Sequence, residues 1–298
     1  MSFRISARLL AGSALLWAAG CAPLSTSEKP LASFALSVEG TTNATATAFT
    51  LIQAADLDQL TARASAKSAL KEREFDFLLN PQDLLQRRLA LQALSVYAEK
   101  LQALSRLENP RELQTEIRSL AASLDSSVIA IHRLRNSPRP APAGVAGALA
   151  EIAQSLLAVS TVSAREEAIG RILRKNNAPI RRLCGLLASE LEAPDGLFYD
   201  QVQKAYRDLQ RQTASRFTAA GKDEAKKEKQ AREYAELLRR REMTLAYLAA
   251  LGSAYRQMGA AHAALDARYQ QGRDPSAALE SFSAELQKLK VFASQLGK

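Results

Sequence analysis

The sequence predicts an all-α protein: an elongated antiparallel helical bundle with coiled-coil-like heptad packing. Three observations carry this expectation. Apolar residues recur at alternating steps of three and four, the spacing that keeps one face of a helix apolar. Strand-like alternation is nowhere sustained. The nearest case, Thr41 to Thr50, holds β-branched and small residues that also suit a helix packed closely on a neighbour. All 10 prolines of the 298-residue chain fall as punctuation.

Helices are expected near 33–78, 81–107, 110–135, 145–176, 179–192, 196–218, 223–271 and 275–296. The first carries a thin stripe of Phe34, Val38, Thr45, Ala48, Ile52 and Ala55. The second and third open on one formula, Asn80-Pro81-Gln82-Asp83 and Asn109-Pro110-Arg111-Glu112. The Asn can cap free amides, the Pro fits the first helical position, and the acid sits near the positive end of the dipole. Leu113, Ile117, Leu120, Leu124, Val128, Ile131 and Leu134 then form a full stripe. Ser137-Pro138-Arg139-Pro140-Ala141-Pro142 is the one clear internal linker, and 136–143 is the place for a sub-boundary within a single domain over 33–298. Ala178-Pro179 is a weaker helix start, and Pro194-Asp195-Gly196 separates two further segments. Asp274-Pro275 opens the last helix, with its stripe of Leu279, Phe282, Leu286, Leu289, Ala293 and Leu296. The tight breaks after 78 and 107 favour antiparallel neighbours.

The segment 196–271 has two readings. Tyr199, Tyr206, Tyr234, Tyr255 and Tyr269 share one heptad phase with Leu248 and His262, and Val202, Leu209, Leu237, Leu251, Met258 and Leu265 share the companion phase. One continuous helix would measure ~110 Å at 1.5 Å per residue. A hairpin would turn at Ala219-Ala220-Gly221-Lys222-Asp223 instead. The tyrosines are either seam residues with hydroxyls at the rim or an aromatic strip that receives a partner helix or a saccharide. Gly252 and Gly259 lie where a neighbouring helix could approach closely.

The first 20 residues read as a secretory signal peptide. Arg4 and Arg8 make a basic start, Leu9 to Ala19 is an apolar run, and Ala18-Ala19-Gly20 places small residues before Cys21. The run is about half of the ~20 residues that span a bilayer. Residues 22–32 are polar and bracketed by Pro23 and Pro30, as a flexible tether would be. The cysteine at the cleavage point resembles the lipobox of bacterial lipoproteins, in which that residue is acylated and becomes the first of the mature protein. Ala18 departs from the Leu favoured three positions before the cysteine, and Gly20-Cys21-Ala22 also fits an ordinary small-x-small cleavage site. The resemblance implies a lipid anchor on Cys21. Because Ala22 is not Asp, it further implies the periplasmic face of the outer membrane.

Composition narrows the partners. The chain carries a formal net charge of +9, and loss of Arg4 and Arg8 leaves about +7. In the cell envelope that suits an anionic cell-wall polymer or lipopolysaccharide, and an envelope protein is the expected partner. Nucleic acid is not expected there. Besides Cys21 the only cysteine is Cys184, so no intramolecular disulfide forms in an exported chain. Cys184 shares an apolar face with Ile180, Leu187 and Leu191 and reads as a buried small hydrophobe. His132 and His262 are the only histidines, and neither converges with ligands at metal or acid–base spacing. No cofactor, metal or catalytic group is expected, nor is an enzyme. Between Lys222 and Glu242 acids precede bases at i,i+4, which supports a solvated helix. Within that run Arg239-Arg240-Arg241 covers most of a turn and is the candidate docking point for a polyanion.

Overall fold

Each Asn-Pro formula does open a helix. The Asn80 side chain accepts from the Asp83 amide at 2.8 Å, and the Asp83 carboxylate accepts from the Asn80 amide at 3.1 Å, closing a capping box. Asn109 accepts from the Arg111 amide at 2.9 Å, and Asp274 from the Ser276 amide at 3.1 Å. A computed structural model describes residues 28–65, 77–134, 136–192 and 196–296. Among the described residues there are eight α-helices and no strand. They are α1 Glu28–Ser65, α2 Pro81–Leu104, α3 Pro110–Arg133, α4 Val145–Val159, α5 Arg165–Ser189, α6 Leu197–Ala219, α7 Glu224–Gln271 and α8 Ser276–Leu296.

Four boundaries differ from expectation. α1 begins at Glu28, so residues 28–32 are helix rather than tether. Pro30 sits in the first turn, where a missing N–H costs little, and the buried run already starts at Leu31 and Phe34. The far end of the expected 33–78 helix falls partly on residues 66–76, outside the described residues, and Phe77–Asn80 is not helical. The break expected at 177–178 lies at 160–164 instead. There Ser160 Oγ bonds the Leu157 carbonyl at 2.8 Å, and Thr161, Val162 and Ser163 are weak helix formers. Pro179, read as a helix start, lies inside α5. Its ring is buried with Ile172, Leu173, Ile180 and Leu183, a face that runs unbroken across the lost hydrogen bond. Of the two readings of 196–271 the structure shows the hairpin, with Gly221 at φ 57° in its turn.

Consecutive helices from α1 to α5 pack as antiparallel neighbours, as do α6 with α7 and α7 with α8. α1 and α7 run antiparallel through the middle. Phe34 meets His262 with ring centroids 5.9 Å apart, and the Thr45 and Tyr255 hydroxyls lie 2.6 Å apart. α7 also packs on α5, and α1 on α6 and α8. The close helix approach expected at Gly252 and Gly259 is found at Gly259, whose Cβ would sit 3.6 Å from Arg181 Cα of α5, whereas at Gly252 the near neighbour is the Glu192 side chain beyond the end of α5, 2.9 Å away. The predicted stripes form the core, with Leu113, Ile117, Leu120, Leu124, Phe282 and Leu289 all buried.

Direction along the bundle positions everything that follows. α1 starts at the end that also holds the α2–α3, α4–α5 and α7–α8 connections. α6 runs parallel to α1, since Phe49 meets Phe198 and Arg63 pairs with Asp208 further along both. It therefore carries the chain onward past the ends of α2 to α5. α7 then returns over 48 residues, ~72 Å at 1.5 Å per residue. From Ala214 to Met243 no residue is buried. This part of the α6–α7 hairpin extends past the ends of α2 to α5, at the end opposite Glu28, with the last turns of α1 beside its near part.

Candidate functional site

The base of the hairpin is held by a buried charged cluster. Arg87 on α2 is 1% exposed. Its Nε donates to Glu190 Oε2 at 3.0 Å, and its Nη2 pairs with the other carboxylate oxygen. Nη1 donates to the carbonyls of Asp83 and Arg139, each at 3.0 Å, and Nη2 also reaches the Pro140 carbonyl at 3.3 Å. The guanidinium lies over the Phe198 ring, 5.3 Å from its centroid. Burial pushes the Glu190 carboxyl above the usual carboxylate range, and Arg87 pulls it back. One side chain thereby joins α2, the Pro-rich segment, the end of α5 and the start of α6.

The Pro-rich segment is fastened at further points. The Asp83 carboxylate accepts from the Arg139 amide at 3.0 Å, and Gln86 accepts from the Ala141 amide at 2.7 Å while donating to Ser137 Oγ at 3.1 Å. Backbone groups that no helix satisfies are met by buried side chains. Arg87 went unnoticed in the sequence, yet a signal was present. It occupies a stripe position between Leu84 and Leu91, where a charge must find a partner.

Beyond this base the α6–α7 hairpin carries the predicted arginines. Arg239 forms a bidentate pair with Glu236 at 2.9 and 3.0 Å, and Arg240 donates to the same carboxylate at 2.9 Å. Those two pairings hold the Glu236 carboxyl down at about 2. Arg241 turns the other way, onto Gln210 of α6 at 3.3 Å. The three arginines thus present no single cationic face. Near them, α1, α6 and α7 enclose an open groove of about 650 Å³, with Ala62, Leu209 and Leu237 among its apolar lining and Arg216 and Glu233 among its charged groups. Arg216 and Glu233 pair across the hairpin at 3.0 Å.

The aromatic strip is not a surface. Tyr255 is 1% and Tyr206 7% exposed, so neither faces a partner. Tyr199 and Tyr269 are half-buried. Only Tyr234, at 37%, is exposed, because it lies on the part of α7 that no body helix covers. The heptad phase that gathers the tyrosines is the phase that faces neighbouring helices, so rings go inward. Tyr255 and Tyr247 use their hydroxyls on Thr45 and on the Ala44 carbonyl.

His262 is fully buried, with Nε2 2.8 Å from the Tyr97 hydroxyl and no partner at Nδ1. His132 is exposed. Cys184 is buried on α5, its thiol pushed up to about 12 by burial. Among the described residues no three His, Cys, Asp or Glu gather as metal ligands, and no helix is long and apolar enough to cross a membrane. Cys21 and the leader lie outside the described residues. Comparison with protein-family models, curated proteins and solved structures finds no match for this chain.

Proposed function

We propose that this chain is a lipoprotein anchored through Cys21 to the outer membrane and facing the periplasm. Its elongated helical bundle, with seams of coiled-coil-like heptad spacing, serves as a non-catalytic scaffold, spacer or accessory subunit of an envelope assembly. The observation that carries this reading is the opposition of two ends. The first described residue, Glu28, sits at one end of the bundle, and the exposed part of the α6–α7 hairpin stands at the other.

An anchor seven residues before Glu28 would hold the first end near the lipid and point the hairpin away from it. The basic start, apolar run and small residues before Cys21 are the features that support an acylated cysteine there. Several acyl chains on one cysteine would hold it stably, since each buried methylene contributes about 0.8 kcal/mol.

Replacement of Cys21 tests the proposal. Wild-type chain is expected in the membrane fraction of lysed cells and Cys21→Ser in the soluble envelope fraction. Unchanged membrane fractionation of Cys21→Ser would refute the anchor.

A further inference from the structure

In thirty consecutive residues, Ala214 to Met243, the two arms of the hairpin hold no fully buried residue, and Leu237 is among those half-buried. A mostly polar helix pair is supported by its own ion pairs or else put to use by a partner. Here five of the six acids are paired within the stretch. Glu228 pairs with Arg232, Asp223 with Lys226 at 2.8 Å, Glu224 with Lys227 at 3.5 Å and Glu233 with Arg216 at 3.0 Å. Glu236 alone serves both Arg239 and Arg240.

Nine basic residues stand against six acidic in this stretch, a surplus of three. Lys222 and Lys229 have no carboxylate within ion-pair distance among the described residues. Two large apolar side chains accompany them, Phe217 at 40% and Tyr234 at 37% exposure, and Lys227 lies 6.0 Å from the Phe217 ring centroid.

We propose that the exposed part of the α6–α7 hairpin, residues 214–243, is a docking surface for an acidic face of a partner protein. The inference rests on the scaffold reading only in taking an envelope protein as the partner. Surplus cations select a negative surface and speed encounter with it. Phe217 and Tyr234 supply the aromatic anchors that concentrate binding energy in protein interfaces and that a polyanionic polymer would not need. The stalk between them and the body is Arg216–Glu233 at the neck and the Arg87 cluster at the base, which together fix where the surface points.

Site-specific cross-linking in intact cells tests this on the full chain. A photoreactive side chain is placed at Phe217 or Tyr234, and at the exposed body positions Ile129 or Leu157 as controls. The expected result is one discrete protein adduct from the hairpin positions only, mapping by mass spectrometry to an acid-rich peptide. Lys222→Glu with Lys229→Glu should reduce it to the level of the body controls while the circular-dichroism melt stays unchanged. Lys222→Gln with Lys229→Gln carries the same test should the reversal unfold the hairpin.

The proposal is overturned by an adduct that survives charge removal, by equal adducts at the body positions, by a peptide without acidic excess, by adducts to cell-wall fragments alone, or by none. Fractionation of Cys21→Ser is read separately, so a failed anchor and a failed docking surface give different results.

Discussion

His262 and Arg87 show what individual residues contribute here. His262 lies against Phe34 and Tyr97 with no exposure, and burial drops its imidazole from the ordinary 6.5 to about 3. The unfolded chain takes up a proton there below about 6.5, whereas the folded chain stays neutral until about 3. Stability is therefore lost as pH falls through that window. Between pH 7 and pH 5 this one group costs about 2 kcal/mol. Urea midpoints at the two pH values should converge in His262→Gln relative to wild type. An unchanged difference would mean that the imidazole is protonated in the fold. Arg87 is a second case. Arg87→Met strands the buried Glu190 carboxylate and should lower stability by about 3–5 kcal/mol in urea titrations, and Glu190→Leu in the same chain should restore most of it. Spacing from Leu84 and Leu91 could have marked position 87 as interior. It could not name Glu190, 103 residues away, as the partner.

Helix starts were legible wherever a local side-chain bond makes them. Asn80, Asn109 and Asp274 each bond an amide two or three residues ahead, and no distant contact is required. Pro179 and the 160–164 break were misplaced because a proline's local cost can be outweighed by continuous burial of the face it lies on, which depends on α7 and α4 being there. Gly259 makes the same point about spacing. Its Cβ position, 3.6 Å from Arg181 Cα and 3.7 Å from Cys184 Cβ, leaves room for a methyl group in ordinary contact with α5. Gly259→Ala should raise the thermal midpoint, since the gain in helix propensity is about 1 kcal/mol. Gly259→Leu should lower it by driving α5 off α7. A fall with alanine would show that the two helices are closer than these distances.

At the scale of the molecule, the order of helices leaves the α6–α7 hairpin unpaired at its far part. α5 ends at Ser189 and α6 begins at Leu197, pointing onward rather than turning back. The long α7 then has to return past α1 before it meets α5 and α8. Cys21 with the apolar run before it, the triple arginine and the tyrosine phase were all visible as residues in the chain. Exposure decided what the last two amount to. Two arginines share one glutamate, two tyrosines are interior, and Tyr234 alone faces outward. The chain by itself determined the helical class, the capped starts and the apolar stripes, because those are set by contacts within a turn or two of helix. Only the tertiary structure decided that 196–271 folds back on itself, that the Pro-rich segment is pinned to α2, and that thirty residues in a row hold no fully buried side chain. Those outcomes depend on which distant helices come together to bury a face, and no local pattern carries that choice.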